Sequence, residues 1–331
     1  MTTPDRGRSP ILPSQNRGAS PKRWRTVDGI VLLDKPPGLS STQALQRVRR
    51  ALQAEKAGHA GTLDPLATGM LPLCFGQATK ACGTLLGRRK AYRATILLGA
   101  RTDTGDAAGQ VVADSPVPVL GDAQVEAVLA GLRGSRMQLP PMYSALKRDG
   151  RPLYELARRG VEVEREPRPV TIETLVALGR SDRTLEIEVV CSKGTYVRVL
   201  GEEIAAGLGT LGHLGALRRL WVEPFDPTAM VTLERIEADL VEGTGDFSWL
   251  LPVDRAFPDL PMLRLGELDT LHLRQGRVLT PPAGLPDAAV WRAYDSHGGF
   301  LGLVERAPDG GVRVQRLFVT GAGTGPADAN A

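Results

Sequence analysis

Residues 58–69 read GHAGTLDPLATG, and this stretch decides how the chain is interpreted. Three glycines and one proline in twelve residues exclude a regular element of any length, so we predict a loop of defined shape. The loop holds one carboxylate, Asp64, whose backbone the following proline biases toward extended geometry. A carboxylate fixed in this way can act as a nucleophile. It can equally cap a short helix that begins at Pro65, which is a common use of Asp-Pro.

The segments around this loop predict an α+β architecture. A strand is expected over 27–33, followed by turn-forming residues 34–38 and a helix whose capping box is Ser40 with Gln43. Further strands are predicted over 70–75, 91–98 and 185–191, and helices over 77–86, 125–132, 153–159 and 197–208. Helices and strands mix without strict β-α-β alternation. This favours a mixed, largely antiparallel sheet flanked by helices over a doubly wound fold.

Changes in composition along the chain predict its division into domains. Prolines around 251–260 predict a domain boundary, and beyond it a helix at 267–275 precedes strands at 290–294, 300–305 and 311–318 that glycine turns connect. A small β-rich C-terminal domain follows from this pattern. The ends are polar and poor in apolar residues. We therefore expect a disordered basic arm at 1–26, a main domain at 27–254, a C-terminal domain at 255–320 and a disordered tail at 321–331.

Composition also limits the classes of protein. The chain has 331 residues of which 42% are hydrophobic, enough for a sizeable core, and it contains neither an 18-residue apolar run nor a secretory signal. Its three cysteines lack C-x-x-C spacing, and its four histidines are dispersed. We expect reduced thiols, no metal, no cofactor, no membrane contact and a cytoplasmic location.

The positive net charge suggests an anionic partner, but this charge is concentrated at the N-terminal end of the sequence. The net charge is +4, yet residues 1–25 carry six basic side chains against one acidic side chain and so account for +5. The remaining chain is close to neutral. Any site for a nucleic acid on the folded body must therefore be a local basic patch.

Several motifs together resemble one known family. GHAGTLDPLATG is similar to the catalytic motif of the TruB family, the pseudouridine synthases that act on the T arm of tRNA. Companion motifs match in order and spacing: 34–36 DKP, 90–92 KAY, 102–106 TDTGD and 191–198 CSKGTYVR. The resemblance spans roughly residues 28–220 and implies the pseudouridine synthase fold. It also implies that Asp64 is a nucleophile that bonds transiently to a flipped-out uridine.

Two tyrosines and an arginine are the next candidates. Tyr92 shares one strand face with apolar residues and could be a core aromatic, whereas the resemblance implies that it stacks on the flipped base. Tyr196 and Arg198 lie on one side only if their segment is extended, as Gly194 favours locally. The resemblance implies that Arg198 pairs with Asp64 and that Tyr196 takes part in proton transfer beside the base. Such an arginine is expected to lower the pKa of Asp64.

Four further positions match the family. His59 could simply be a loop residue bonded to the backbone, and the resemblance implies that it holds the flipped nucleotide. The resemblance also places Lys35 near the substrate, Asp106 in the surrounding hydrogen-bond network and Leu217 in apolar contact with the base.

The segment 133–168 is the best candidate for the basic patch. Its predicted contacts with the RNA backbone are Arg133, Arg136, Lys147, Arg148 and Arg151. It could be merely a solvated helix pair, whereas in the family this region is an insertion that clasps the RNA stem-loop. Phosphate contacts of this kind would make binding strongly salt-dependent.

The expected function is the isomerisation of uridine 55 in the tRNA T loop by a monomer that needs no guide RNA. The C-terminal domain loosely resembles a PUA-type RNA-binding module. Two rivals are a catalytically silent RNA-binding or tRNA-remodelling protein and a related synthase that works inside a guide-RNA particle. Composition alone would also permit a generic nucleotide- or oligosaccharide-binding protein.

Overall fold

A computed structural model describes residues 24–144, 146–148, 150–157, 159–242, 247–282 and 284–318. The strands within these ranges are β1 Gly29–Lys35, β2 Ala57–His59, β3 Thr68–Phe75, β4 Lys90–Leu98, β5 Ala100–Thr102, β6 Val111–Asp114, β7 Gly134–Gln138, β8 Lys147–Arg148, β9 Arg151–Pro152, β10 Arg168–Arg180, β11 Thr184–Cys191, β12 Gly212–Val222, β13 Leu250–Leu251, β14 Met262–Arg264, β15 Val290–Tyr294, β16 Phe300–Arg306 and β17 Val312–Leu317. The α-helices are α1 Ser41–Leu52, α2 Cys82–Leu86, α3 Asp122–Leu132, α4 Leu153–Ala157, α5 Val197–Gly207, α6 Leu233–Glu242 and α7 Glu267–Arg274. Turns of 3₁₀ helix lie at Gly76–Ala81, Pro227–Ala229 and Val253–Ala256.

One nine-stranded sheet organises the main body. Its order is β13-β1-β3-β12-β4-β11-β10-β7, with β2 paired to β3. Every pairing in this sheet is antiparallel except that of β12 with β3, so the predicted largely antiparallel sheet is confirmed. Because β3, β12 and β4 are neighbours, Arg219 lies in register between Gly69 on one side and Tyr92 on the other.

The helix after β1 forms as its sequence predicts. Ser40 Oγ accepts a hydrogen bond from Gln43 N at 3.2 Å, and Gln43 Oε1 accepts one from Ser40 N at 2.9 Å, which completes the capping box. The apolar face of α1 is buried through Ala44, Leu45 and Val48. This cap fixes the start of α1 beside the loop that carries Asp64.

The sheet buries both of its faces. Along β1, Val31 and Leu33 belong to the apolar core that also contains residues of α1, α3, α5 and α6, whereas Ile30 and Leu32 belong to the core on the opposite face of the sheet. That second layer includes the 3₁₀ turns at Gly76–Ala81 and Val253–Ala256. Burial on both faces explains why β1 is almost continuously apolar.

The C-terminal region forms its own four-stranded sheet, in the order β14-β15-β16-β17, around the fully buried Trp291. Its predicted helix and three strands are confirmed, and so is its β-rich character. Phe257 from the main body meets Phe318 at 5.8 Å and Phe300 at 6.5 Å between ring centroids. Lys80 Nζ also donates to Leu317 O at 2.7 Å, so the two sheets are joined by an apolar and a polar contact.

Several predicted elements differ in detail. β1 continues through Asp34 and Lys35, which were expected in the turn, because both residues keep pairing with β3. The short strand β2 lies inside the motif expected to be all loop, and the first half of the predicted helix 77–86 is 3₁₀. The described residues of the segment 133–168 form β7, β8, β9, the start of β10 and one five-residue helix, so the interpretation as a helix pair is wrong.

Most of the predicted basic arm and the whole predicted tail lie outside the described residues. Arg25, near the end of the arm, pairs with Ala54, and its Nε donates to Leu52 O at 3.0 Å. The guanidinium of Arg49 stacks over the Trp24 ring at 4.7 Å. The described end of the arm is thus attached to the connection between α1 and β2.

The helices of the described residues include none long and apolar enough to cross a membrane. In the same ranges, no group of three or more His, Cys, Asp or Glu side chains is arranged to hold a metal ion. Cys74, Cys82 and Cys191 are free thiols, as expected.

Candidate active site

Asp64 lies in a loop that α1 fastens in place. The hydroxyl of Ser41 accepts a hydrogen bond from Leu63 N at 2.7 Å and donates one to Leu63 O at 3.0 Å. Asp64 to Ala67 form a turn closed by Ala67 N donating to Asp64 O at 3.0 Å, and the chain then enters β3 instead of a helix. The interpretation of Asp64 as a helix cap is therefore wrong.

Lys35 supports the same loop from beneath. Its fully buried Nζ donates to the carbonyls of Leu39 at 2.7 Å, Pro36 at 2.9 Å and Pro65 at 3.4 Å. Burial lowers the pKa of Lys35 to about 8, against the opposing effect of nearby Asp64. Its three donors thus join the turn after β1, through Pro36 and Leu39, to Pro65 within the loop that carries Asp64. Lys35 lies outside the set of residues lining the cleft.

Arg198 reaches Asp64 from α5. Tyr196 is extended, with φ −100° and ψ 106°, and α5 begins at the next residue, so Arg198 stands in the first helical turn. Its Nε lies 3.0 Å from Asp64 Oδ2, while its two terminal nitrogens donate to Thr104 O at 2.7 Å and Tyr143 O at 2.5 Å. The guanidinium is buried and held on all sides, which fixes the direction from which it meets the carboxylate.

A second carboxylate, Asp106, stands behind this pair. Its Oδ1 accepts hydrogen bonds from Thr104 Oγ1 at 2.8 Å and from Ala108 N at 3.1 Å. Its Oδ2 is 4.0 Å from Arg198 Nε. Asp106 is buried, so Arg198 is shared between two acidic side chains of which only Asp64 is close enough for a hydrogen bond.

The pKa of Asp64 is raised, which is opposite to the prediction. Burial in the cleft disfavours the charged form and is the largest cause; Arg198 opposes it and Asp106 adds to it. Arg198 does lower the pKa of Asp64, as predicted, but burial raises it by more, so the predicted net direction of the shift is wrong. A carboxylate with a raised pKa is more basic and more nucleophilic than an ordinary one, provided that the solution keeps it ionised.

A cleft of about 500 Å³ opens above this pair. Its wall combines Asp64 and Arg198 with Tyr92, Tyr196 and Leu217. Tyr92 continues the apolar face of β4 and is buried, so its interpretation as a core aromatic is confirmed. It also lines the cleft, and its stacking on a base stays a prediction. The cleft is of a size and mixed apolar and polar character typical of small-ligand sites.

Both tyrosines are neutral at ordinary pH. Burial raises the pKa of Tyr92 and of Tyr196, against weaker opposing effects of Arg219 on Tyr92 and of Ser144 on Tyr196. A neutral phenol can donate one hydrogen bond and accept others. Each ring therefore offers an apolar face and one hydroxyl to whatever occupies the cleft.

His59 lies in β2, paired with Leu73, and is outside the set of residues lining the cleft. Its Nδ1 is buried without a hydrogen-bond partner, so the expected backbone bond is not formed by that atom. Burial lowers the pKa of His59, and the charge of Arg219 acts in the same direction. The imidazole is consequently neutral beside the loop.

Arg219 and Lys90 are site residues that the sequence interpretation missed. Arg219 is buried, and its guanidinium donates to Met70 O at 2.6 Å and to Gly61 O at 3.2 Å. Lys90 is buried too, and burial lowers its pKa to about 8. Both line the cleft. Strand alternation is the signal that could have found them, because each is two residues from a predicted site residue, Leu217 or Tyr92.

The residues predicted to contact RNA in 133–168 differ in whether their side chains are already bonded to other parts of the protein. Arg133 donates to Leu175 O at 2.6 Å and 3.0 Å and pairs with Glu126 at 2.9 Å. Arg136 pairs with Glu203 at 3.0 Å, whereas Arg151 is exposed. The side chains of Lys147 and Arg148, in β8, lie outside the description. Contacts of Arg133 and Arg136 with phosphate would compete with these protein partners.

Comparison with solved structures defines the class of protein. The chain superimposes on a chain of a Cbf5-Nop10-Gar1 complex with a TM-score of 0.66, at 22% identity, covering 95% of this chain and 93% of that one. An archaeal box H/ACA sRNP Nop10-Cbf5 complex gives a TM-score of 0.64 at 21% identity, covering 92% and 93%. At this identity the likeness concerns the fold, which is that of a pseudouridine synthase.

Sequence comparison identifies the family. Residues 49–197 match the model for the N-terminal domain of TruB family pseudouridylate synthase, 198–258 match the tRNA pseudouridylate synthase B C-terminal domain, and 261–318 match Pseudouridine synthase II TruB, C-terminal. The tRNA pseudouridine synthase B of Marinomonas sp. (strain MWYL1) is 50% identical over 283 residues, covering 85% of this chain and 92% of that one. That of Ectopseudomonas mendocina (strain ymp) is 47% identical over 300 residues, covering 90% and 97%. The chain belongs to the TruB family of tRNA pseudouridine synthases, which are isomerases.

Proposed function

We propose that the chain isomerises uridine 55 in the T loop of tRNA to pseudouridine, with Asp64 as the nucleophile. The observation that carries this proposal is the carboxylate of Asp64 held 3.0 Å from the buried Arg198 at the wall of the cleft. Membership of the TruB family supplies the class of reaction. A silent RNA-binding protein would have no use for a buried arginine aimed at a carboxylate beside a ligand-sized cleft.

The target uridine enters the cleft only after it leaves its stack in the RNA. Unstacking costs a few kcal/mol, and stacking on an aromatic ring returns roughly 1–3 kcal/mol per base. Tyr92 supplies that ring, and Leu217 supplies an apolar wall beside it. Lys35 and Arg219 hold the backbone of the catalytic loop, so the cleft is formed before the uridine arrives.

The reaction breaks one bond to the ribose and makes another. Asp64 bonds transiently to the nucleotide, the C1′–N1 bond breaks, the uracil turns, and C1′ bonds to C5. The bond to Asp64 breaks to restore the carboxylate, either as C5 bonds to C1′, if Asp64 is attached to that carbon, or after this step, if Asp64 is attached to the base. The C5 proton then leaves, and N1 takes up a proton. Arg198 holds the carboxylate in position for both steps. Tyr196, as a neutral hydroxyl, accepts the C5 proton while it releases its own proton to water, and water supplies the proton that N1 takes up.

The rest of the chain grips the tRNA. The segment 133–168 contacts the phosphates of the T stem-loop, with Arg151 exposed for this purpose. The β-rich C-terminal region acts as a PUA-like module that contacts the tRNA beyond the loop. One chain encloses its substrate without a guide RNA, so we propose a monomer with its own tRNA-binding surface.

The test is tritium release from tRNA transcripts labelled at C5 of uridine, incubated with the purified chain alone. We expect about one tritium per transcript, and no release when uridine 55 alone is replaced by cytidine. Release from both transcripts would show that the enzyme modifies a uridine other than uridine 55. Tight binding without release from either would overturn the enzyme assignment in favour of the silent RNA-binding alternative.

A further inference from the structure

The segment 133–168 leaves the main sheet and returns to it at one point. β7 ends at Gln138 and β10 begins at Arg168, and these two residues face each other in the antiparallel register. The described residues between them, including β8, β9 and α4, are connected to the main sheet through this pair. Whatever is attached to Gln138 is therefore attached to the base of the proposed RNA-binding segment.

The side chain of Gln138 is bonded to the backbone of Tyr196. Its Oε1 accepts a hydrogen bond from Tyr196 N at 2.8 Å, and its Nε2 donates one to Tyr196 O at 3.2 Å. A primary amide is suited to this double contact because it carries a donor and an acceptor side by side. Gln138 is only 2% exposed, so neither bond is exchanged with water.

This contact lies where the catalytic geometry is set. Tyr196 is the N-cap residue of α5 and its side chain caps none of the first N–H groups of that helix, and Arg198 stands in the first turn. Residues just after Gln138 reach the same place, since Tyr143 O accepts from Arg198 and Ser144 lies in the cleft wall beside Tyr196. The base of the segment thus touches both Tyr196 and the partner of Asp64.

We infer that Gln138 is a positioning residue for the reaction: its amide clamps Tyr196 and the start of α5, and so joins RNA binding by the segment to the alignment of Arg198 with Asp64. This rests on the roles proposed for Asp64 and Tyr196. A displacement of about 1 Å at reacting groups can cost roughly 100-fold in rate. The effect of losing the clamp should therefore appear in the chemical step.

The experiment compares Gln138→Glu with Gln138→Met in single-turnover tritium release at saturating tRNA. Glutamate keeps the shape of glutamine but loses the donor when ionised, whereas a protonated carboxyl has both a donor and an acceptor. We expect the rate constant of both variants to fall by about tenfold or more, with the Kd for tRNA within about threefold of wild type. Gln124→Glu, the same change on the exposed face of α3, should leave both quantities unchanged.

The pH dependence separates positioning from a merely structural role. The rate of Gln138→Glu relative to wild type should rise as pH falls and the buried carboxyl becomes protonated, while the ratio for Gln138→Met stays flat. Full activity in both variants, or a flat ratio for Gln138→Glu, would overturn the inference. If Gln138→Glu does not fold, Gln138→Met alone tests the inference. An unchanged single-turnover rate constant for Gln138→Met would contradict a positioning role for Gln138. None of these outcomes bears on the proposed function, which depends on release by the wild type, or on the role of Asp64, which depends on release by Asp64→Asn.

Discussion

The cleft around Asp64 and the segment 133–168 are both rich in cationic side chains, but they use them differently. In and beneath the wall of the cleft, Lys35, Arg198 and Arg219 are buried, and each donates to backbone carbonyls of neighbouring segments. In the segment, Arg151 and Arg159 are exposed. Buried charge with fixed partners shapes a site and is little affected by salt, whereas exposed charge attracts phosphate and is screened. The comparison predicts that changes in the cleft alter turnover and stability, and that changes in the segment alter binding.

Among changes that leave Asp64 in place, the largest effect is expected for Arg198→Lys, which keeps the charge but loses the planar guanidinium. A lysine cannot serve Asp64, Thr104 O and Tyr143 O in the same directions, so the carboxylate loses its orientation. We expect the single-turnover rate constant to fall about 100- to 1000-fold with tRNA binding retained. Arg183→Lys, at an exposed turn, is the matched control. A loss confined to tRNA affinity would place Arg198 with the binding surface instead.

Gly69→Ala should be the most destabilising change in the cleft. Gly69 has φ +94°, and a Cβ there would lie 2.1 Å from Arg219 O, where β3 and β12 pair. We expect a loss of about 3 kcal/mol or more in the free energy of unfolding, measured by urea denaturation. Gly38→Ala separates the cost of a positive φ from the cost of the steric clash. Gly38 has φ +84° but open space around it, so this variant should lose only about 1 kcal/mol of the free energy of unfolding. Equal losses in the two variants would contradict the close approach.

The buried cation Lys90 should make stability depend on pH. Its pKa of about 8 lies below the ordinary 10.5, so between these values the unfolded chain binds more protons than the folded chain. Its contribution to stability is therefore smallest below about pH 8 and rises as pH increases toward 10.5. We expect the stability of the wild type relative to Lys90→Met to rise by on the order of 2 kcal/mol across this window. Comparison at each pH cancels the other groups, and a constant difference would show that Lys90 titrates normally.

The smallest effect is expected in the segment. Arg151→Ala should weaken tRNA binding a few-fold and lower the slope of log K against log salt by about 0.7 to 0.9, while turnover at saturation stays unchanged. Arg183→Ala removes an exposed arginine from the turn between β10 and β11 and should change neither. An unchanged salt slope for Arg151→Ala would remove this residue from the proposed RNA contacts.

Local patterns in the sequence were enough for much of the fold. Alternation predicts the buried face of β4, the Ser40 and Gln43 pair predicts the start of α1, and glycine turns predict the C-terminal hairpins. These features depend on neighbouring residues. The catalytic motif also placed Asp64 in a loop correctly, although physical reasoning alone left open whether it capped a helix.

What the sequence could not provide depends on contacts between distant segments. Arg219 is bonded to Met70 and Gly61, about 150 residues earlier in the chain, and nothing local predicts that register. The sequence predicts the wrong direction for the pKa of Asp64 because the desolvation of this half-buried carboxylate arises from segments that are distant along the chain. The clamp between Gln138 and Tyr196 is of the same kind, since it joins a strand end to a helix start.

The most direct test of the central claim is single-turnover tritium release by Asp64→Asn, with the affinity for unmodified tRNA measured alongside. The amide keeps the shape of the side chain but is a very poor nucleophile. We predict binding within about threefold of wild type and a rate at least about 10⁴-fold lower, near the limit of detection. Release by Asp64→Asn within about tenfold of the wild-type rate would show that another group attacks the nucleotide and would contradict the account.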